Sequence, residues 1–239
     1  MTKDELKKQI EINKEIISGL LSGGSSCRRL NSLNWLRHEL STETKMLFHL
    51  PTKNQKSRFD YTSTRNLGYA WDYIMENKKK DINELEICKI HSILSNGTHI
   101  KSGMYRTTET YLDLYVNGQK MHTPHYDEIP TRINTILFNL TNSDVTPLIK
   151  SFNIHYDLIK LQPFDDFNKR TARMIMSWVL IKNGYRPILF NQKSDKNEYM
   201  EALRNRAEGD CKSYSTYLYS CLLRTQNDLI KMLNLSKII

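Results

Sequence analysis

Cysteines are scarce in this sequence, and long apolar runs are missing. The four cysteines among 239 residues lie far apart and form no Cys-x-x-Cys pair. This pattern argues against a zinc site or a disulfide framework and favours a reducing compartment. No apolar stretch approaches the roughly 20 residues that a membrane-spanning helix needs, so we expect no membrane partner. The first residues carry charges of both signs without a long apolar core, and we therefore expect no secretory signal peptide.

The net charge of +9 at pH 7 raises the question of an acidic or nucleic-acid partner. The lysines are spread over the chain, however, and Lys78-Lys79-Lys80 is the only tight run of three. We interpret most of the charge as solvated surface and expect no nucleic-acid partner.

Apolar residues recur at helical spacing along most of the chain, which predicts a mainly α fold. A polar stretch over residues 51–61 predicts a surface loop. An Asn-Gly pair at residues 117–118 follows an aromatic, β-branched run and predicts a β-hairpin with residues 119–123 as its second arm. Helices are predicted at residues 4–21, 27–38, 64–77, 84–94, 126–139, 146–161, 171–183 and 213–230, and one more opens at residue 198.

The stretch over residues 161–173 joins two of these helices and carries most of the chemistry. Proline disfavours a helix through Gln162-Pro163, so the backbone must break there and restart near Asn168. A restarting helix presents free N–H groups and the positive end of its dipole. Arg170 and Arg173 lie three residues apart, on one face of that helix. Together these groups predict a site for an anion, most naturally phosphate.

Asp166 lies just before this phosphate site, where its carboxylate can hold a divalent cation that bridges the phosphates. Loop–helix junctions with acidic and basic residues are also common without any ligand, so composition alone favours a purely structural role. The order of the residues is more specific. It resembles the signature of the Fic/Doc family, HxFx(D/E)(G/A)N(G/K)RxxR. The residues on pattern positions are Phe164, Asp166, Asn168, Arg170 and Arg173, and Lys169 matches the Asn-Lys-Arg variant of the Doc branch.

Two positions depart from the family pattern. Gln162 stands where the family has its catalytic His, and Phe167 stands where it has Gly or Ala. A glutamine amide has no basic lone pair near neutral pH, so it cannot accept the proton that the family His accepts. A bulky residue at position 167 is costly if φ is positive; with a negative φ it is tolerated and fills space.

The resemblance extends over roughly residues 65–223. Gly103-Met104-Tyr105-Arg106 resembles the family's Gly-x-Tyr-Arg segment, and the predicted hairpin resembles its flap. In that family the flap positions the protein target by strand addition; a merely decorative hairpin is the alternative. The flap residues are then Tyr111, Leu112, Asp113, Leu114, Tyr115 and Val116. We expect a mainly α, Fic-like helical bundle with a small β-hairpin flap, divided into N-terminal helices over residues 1–60 and a Fic-like domain over residues 61–239.

A fainter resemblance lies upstream. Some Fic proteins carry an N-terminal inhibitory helix with a motif of the type SSxIEGNxLT, and Ser25, Ser26, Asn31 and Leu33 match it. Arg29 replaces the inhibitory Glu, which in the family pairs with the second motif arginine. Two cations repel, so we expect no such pair and no de-AMPylating role. The alternative is that Arg29 is simply an exposed helix residue.

The resemblance implies that ATP or another nucleotide binds with Mg²⁺ and that AMP moves to a hydroxyl of a protein target. The phosphates would contact Phe167, Asn168, Lys169, Arg170 and Arg173, the metal would bind Asp166, and Gln162 with Asp166 would hold the catalytic positions.

Three functions remain open. They are an impaired or atypical Fic-type protein adenylyltransferase, a nucleotide-binding or protein-binding pseudoenzyme, and a Doc-like kinase, which also needs the missing His. We considered His155 as a substitute base; two helical turns, about 10 Å, separate it from Gln162, so we expect a packed core histidine. We expect a cytoplasmic protein, or else an exported effector that acts in a host cytosol.

Overall fold

The computed structural model describes residues 1–23, 26–47, 53–116, 118–192 and 194–235; within these ranges the side chains at 27, 28, 41–61, 63 and 235 are left aside. The predicted mainly α class is confirmed. The described helices and strands are α1 (Lys3–Ser22), α2 (Ser26–Leu47), α3 (Lys53–Asn77), α4 (Glu84–Ser95), β1 (Tyr111–Val116), β2 (Gln119–His122), a 3-10 turn (Tyr126–Glu128), α5 (Ile129–Asn142), α6 (Pro147–Leu161), α7 (Asn168–Lys182), α8 (Asp195–Ala207) and α9 (Cys211–Leu235).

Helices α6 and α7 form the centre of the core and pack closely against each other. Phe152 and Ile159 of α6 and Ile175 and Trp178 of α7 are fully buried. Helix α4 packs against α7, and α5 packs against α6. The two apolar segments that flank residues 161–173 are therefore the central helices, and the short connection between them is held in the middle of the molecule.

The first helix packs along the last. Leu6, Ile10 and Ile17 of α1 are buried, and the side chain of Gln226 in α9 donates to the carbonyl of Ile10 at 3.2 Å. Helix α3 runs without a break through residues 60 and 61. The division of the chain into units 1–60 and 61–239 stays a prediction.

One prediction of local structure is wrong. Residues 53–61 are not a loop, because α3 is already helical from Lys53, and residues 51 and 52 lie outside the described residues. No glycine or proline occurs between Lys53 and Gly68, so nothing in this polar stretch breaks a helix once it has begun. A polar composition alone therefore does not indicate a loop in this stretch.

The hairpin forms as predicted. Val116 pairs with Gln119 across a two-residue loop, and Gly118 in that loop has a φ of +76°. The register shifts between Leu112 and Tyr115, so β1 contains an irregularity that its partner strand does not share. In the part of the chain described here, no helix is long and apolar enough to cross a membrane.

Candidate active site

The backbone breaks where the sequence predicts. Helix α6 ends at Leu161, and Gln162 caps it in the left-handed region with a φ of +47° and its N–H donating to the carbonyl of Leu158. Helix α7 begins at Asn168 after Phe167, which also has a positive φ, +62°. No side chain caps the N-terminus of α7 at Phe167. The first N–H groups of α7 therefore have no side-chain cap of the usual kind, as an anion site requires.

Gln162 uses both ends of its side-chain amide inside the loop. Its Nε2 donates to the carbonyl of Ile159 at 2.8 Å, and its Oε1 accepts from Nδ2 of Asn168 at 3.1 Å. An amide that is bonded in this way has no basic group to offer a reacting hydroxyl. Its observed contacts are those of a residue that closes the loop.

Asn168 ties the two ends of the loop together. Its Oδ1 accepts from the N–H of Phe164 at 2.9 Å, and its Nδ2 donates to the carbonyl of Phe164 at 2.8 Å. With the further bond to Gln162, the buried amide of Asn168 is engaged on both sides. The side chain predicted to contact phosphate thus shapes the loop, and any phosphate contact from this residue falls to its backbone N–H.

Asp166 is one of two exposed acids in the loop, next to Asp165. Its side chain is 56% exposed, and Oδ1 accepts from the N–H of Phe167 at 2.5 Å and lies 3.9 Å from Nη2 of Arg170. No group of three or more His, Cys, Asp or Glu side chains that could hold a metal occurs among the residues described. A single exposed carboxylate suits Mg²⁺, which commonly binds one or two carboxylates and completes its shell with water and substrate phosphates.

Phe167 and Arg170 form a stacked pair. The guanidinium carbon of Arg170 lies 3.6 Å from the centre of the Phe167 ring, and both side chains are buried. The positive φ is the costlier of the two backbone states considered for Phe167, and ring burial with a cation–π contact offsets part of that cost. Burial lowers the pKa of Arg170 to about 10, which leaves the guanidinium charged at neutral pH.

Arg173 and Lys169 complete the predicted basic set. Arg173 is buried one turn beyond Arg170 on α7. Lys169 points its ammonium toward α8, where Nζ lies 3.8 Å from the sulfur of Met200. Burial lowers the pKa of Lys169, and the charge of Asp113 in the hairpin opposes that shift. Lys169 therefore lies between α7, α8 and the hairpin.

Arg106 is a residue of the site whose role the sequence did not reveal. Its Nε donates to the carbonyl of Gln162 at 2.7 Å, and its own backbone N–H donates to the carbonyl of Pro163 at 3.0 Å. The other guanidinium nitrogens donate to the carbonyls of Thr108 and Pro124. The buried Arg106 thus fixes the end of α6 to the base of the hairpin. The Gly-x-Tyr-Arg segment was the available signal.

His91 of α4 is a second such residue. Its Nε2 lies 3.2 Å from the carbonyl oxygen of Asp166, and its Nδ1 accepts from the N–H of Gly103 at 2.9 Å. Its ring stacks in parallel on Phe164, with ring centres 3.7 Å apart. Burial lowers the pKa of His91 to about 4, so the imidazole is neutral under ordinary conditions.

Part of this chain matches a known protein family. Residues 81–180 match the model of the Fic/DOC family, from the residues before α4 to near the end of α7. The match contains the broken-helix loop together with Arg106 and His91. This stretch of the chain matches the Fic/DOC family.

Its curated relatives are longer Fic proteins. The chain is 25% identical over 177 residues to the protein adenylyltransferase Fic of Nematostella vectensis. The aligned region covers 71% of this chain and 40% of that protein. It is 26% identical over 178 residues to the protein of the same name from Aedes aegypti, covering 71% and 34%. The chain thus spans less than half the length of these curated relatives.

Solved Fic structures share the fold. A Fic-domain signalling protein from Bacteroides thetaiotaomicron superposes with a TM-score of 0.75 at 20% identity, covering 95% of this chain and 97% of that one. A Fic family protein from Desulfovibrio desulfuricans gives a TM-score of 0.71 at 16% identity, covering 97% and 76%. The helical bundle with its hairpin is therefore a Fic fold.

The hairpin presents two different faces. Leu112 and Leu114 are buried, whereas Tyr111 and Tyr115 are more than half exposed and Asp113 also faces solvent. On helix α8, Nε of Arg204 donates to the carbonyl of Tyr115 at 3.2 Å. Val116 ends the strand, half-buried. The role of the flap in positioning a target stays a prediction.

The predicted inhibitory region starts at α2. Ser25 lies outside the described residues; Ser26, Arg29 and Asn31 are exposed along the first turns of α2. The carbonyl of Arg29 accepts from Oγ of Ser32 at 2.7 Å. An exposed Arg29 agrees with the simpler of its two interpretations, and its regulatory role stays a prediction.

His155 is a packed core histidine, as expected. Its Nδ1 is 2.7 Å from the hydroxyl of Tyr214, and its Nε2 is 2.9 Å from the hydroxyl of Tyr199. Complete burial lowers the pKa of His155 to about 3. Both ring nitrogens are occupied in the core, which removes it as a substitute base.

Proposed function

We propose that this chain binds ATP with Mg²⁺ at the N-terminus of α7 and that it transfers AMP to a protein hydroxyl only slowly. The names of its relatives, protein adenylyltransferase, supply the reaction class. The chain's own loop supplies the reason for slow transfer: the amide of Gln162 is bonded at both ends, to Ile159 and Asn168. That single observation carries the proposal.

The first turn of α7 suits the phosphates of a nucleotide. Its N–H groups carry the positive end of the helix dipole, and Arg170 adds a buried, charged guanidinium beside them. Burial strengthens the attraction between such a cation and a phosphate relative to the same pair in water. We assign Arg173 and the backbone N–H groups of Asn168 and Lys169 to the same anion.

Asp166 suits a cation that accompanies the phosphates. Its exposed carboxylate is a hard oxygen ligand, and its distance of 3.9 Å from Arg170 leaves both groups able to face one polyphosphate. Mg²⁺ bound there would neutralise charge that builds up on the phosphates during transfer. The chain itself would bind, orient and shield the nucleotide.

Proton removal is the step for which this loop lacks a group. A positioned general base contributes about 10²- to 10⁴-fold to a rate. Gln162 can hydrogen-bond a hydroxyl or water, but it cannot take up a proton near neutral pH. We therefore assign Gln162 a positioning role and expect transfer at a small fraction of the rate of an enzyme with a base at this position.

A second candidate is a nucleotide-binding pseudoenzyme that performs no transfer. The bonds of Gln162 to Ile159 and Asn168 favour it, because they engage the amide within the loop. A Doc-like kinase, suggested by Asn168-Lys169-Arg170, requires the missing base as well and gains no separate support.

Calorimetry tests the nucleotide site. We expect the parent to bind ATP in the presence of Mg²⁺ and Arg170→Ala to bind about tenfold or more weakly, as the loss of a charge-assisted contact implies. Arg132→Ala is the matched control, since Arg132 of α5 is exposed and forms an ion pair with Glu128. Binding that is absent in the parent, or equal in the parent and Arg170→Ala, contradicts the site.

Replacement of Gln162 tests the missing base. We expect Gln162→His to increase labelling of lysate proteins by labelled ATP by about 10²-fold or more. Gln192→His makes the same change outside the motif and should leave labelling at the parental level. Mass spectrometry of the parent reaction then separates slow transfer from none. Equal labelling by the parent and Gln162→His would show that Gln162 does not limit transfer.

A further inference from the structure

The loop between α6 and α7 is held by donors that lie outside the family signature. Arg106 binds the carbonyls of Gln162 and Pro163 at the start of the loop. His91 contacts the carbonyl of Asp166 near its end. His91 therefore contacts the backbone of Asp166, one of the two loop residues with an exposed carboxylate.

The hydrogen bonds of His91 fix its tautomer. The backbone N–H of Gly103 can only donate, so Nδ1 of His91 is the acceptor in that 2.9 Å bond. In the neutral ring the proton then resides on Nε2, which donates it to the carbonyl oxygen of Asp166 at 3.2 Å. His91 thus links the backbone of Gly103 to the loop through two hydrogen bonds.

The ring itself has little freedom. It stacks in parallel on Phe164 and meets the ring of Phe167 edge-on, with an interplanar angle of 81°. Gly103 has a φ of +72°, and an added Cβ there would lie 3.1 Å from the carbonyl oxygen of Cys88. A glycine at this position lets the backbone N–H approach Nδ1 closely. The Nε2–H group that His91 directs at Asp166 therefore has a fixed position.

The peptide group between Asp166 and Phe167 determines where the carboxylate points. Its carbonyl is held by His91, and its N–H is held by Oδ1 of Asp166 at 2.5 Å. The positive φ of Phe167 costs conformational free energy. A strained backbone of this kind persists only where surrounding contacts over-determine it. Without the bond from His91, rotation of this peptide would relax the strain and turn the carboxylate away.

We propose that His91 is a positioning residue that fixes the Asp166 carboxylate for the cation accompanying the nucleotide. This inference rests on the proposed function and assigns a role in it to a helix outside the motif. The proposed role requires no contact of His91 with the nucleotide or the metal. His91 acts through the backbone of Asp166.

Two substitutions separate this role from simple packing. His91→Phe keeps an aromatic ring on Phe164 and loses both hydrogen bonds, whereas His91→Gln restores an N–H donor toward Asp166. We expect His91→Phe to weaken ATP binding in Mg²⁺ about tenfold while binding in EDTA changes less than about twofold, and His91→Gln to recover most of the loss. Thr225→Val, which removes a buried acceptor from the N–H of Leu189, controls for lost stability alone.

Amide exchange of Phe167 supplies a readout that needs no nucleotide. This N–H is bonded to Oδ1 of Asp166 and reports the direction of the carboxylate. We expect faster exchange in His91→Phe, parental exchange in His91→Gln and in Thr225→Val, and the same order for Mg²⁺-dependent binding.

ATP binding and amide exchange at Phe167 test different claims. Parental exchange at Phe167 in His91→Phe overturns the role of His91, as does an equal loss of affinity with and without Mg²⁺. If the parent binds no ATP, the proposed function fails, and exchange at Phe167 still decides whether His91 fixes Asp166.

Discussion

At the scale of single residues, the two departures from the Fic pattern share a backbone property. Among the residues that the structure describes, the non-glycine positions with positive φ are Gln162 and Phe167. They stand at either end of the loop between α6 and α7. Such residues cost roughly 1–3 kcal/mol each and cluster at functional sites. The departures thus fall on the positions where the backbone is under the greatest constraint.

Phe167 allows the backbone strain to be measured. Truncation of a buried Phe costs about 3–5 kcal/mol, and a left-handed conformation costs a non-glycine residue about 1–2 kcal/mol. We expect Phe167→Gly and Phe167→Ala both to lower the free energy of unfolding, with the glycine variant more stable than the alanine variant by about 1 kcal/mol. Urea denaturation checks both values. An alanine variant as stable as the glycine variant would show that position 167 stores no strain.

The sequence predicted the broken loop but not its supports. A proline restricts its own residue and the one before it, so the break at Gln162-Pro163 follows from local chemistry. His91 and Arg106 contact loop residues 75 and 56 positions away in the chain. Contacts at such separations depend on how the helices pack, and no periodicity records them. The side-chain role of Asn168 was missed for a related reason, since its donors and acceptors become visible only once the loop is closed.

At the scale of helices and strands, ends with a capping side chain were predicted most accurately. Thr146 accepts from the N–H of Ile149 at the start of α6, and Asn83 accepts from Glu86 at the start of α4. The sequence over residues 53–61 has no apolar stripe, and its helical state follows from continuity with the rest of α3. A polar composition alone does not end a helix.

Two glycines with similar φ provide a matched test of the local geometry. Gly103 and Gly118 have φ values of +72° and +76°, but an added Cβ meets Cys88 at 3.1 Å only at Gly103; at Gly118 it meets nothing within 4 Å. We expect Gly118→Ala to cost about 1 kcal/mol of stability and Gly103→Ala about 2–4 kcal/mol, because crowding adds to the strain. Denaturant midpoints give both costs. Equal costs would contradict the crowding at Gly103.

At the scale of the whole molecule, the N-terminal helix shares its core with the C-terminal one. Asn13 of α1 donates to Asn227 of α9 at 2.8 Å, and Glu11 accepts from the hydroxyl of Tyr185. Partly buried polar contacts of this kind favour one packing arrangement. The predicted unit over residues 1–60 would then unfold together with the rest.

Ile10 tests whether the chain unfolds as one unit. It lies on α1 and is fully buried, so we expect Ile10→Ala to lower the free energy of unfolding by about 2–5 kcal/mol. Ile12 on the same helix is 43% exposed, and Ile12→Ala should change stability by less than about 0.5 kcal/mol. Scanning calorimetry should show one transition in both variants. A separate early transition in Ile10→Ala would favour an independent N-terminal unit.

Helix α8 contacts both the hairpin and the motif helix α7. Arg204 binds the flap at Tyr115, and Met200, one turn earlier, receives Lys169 from the motif helix. A displacement of α8 would therefore alter the contacts of the hairpin and of α7 together. For inhibitor design, α8 is thus a target distinct from the proposed nucleotide site.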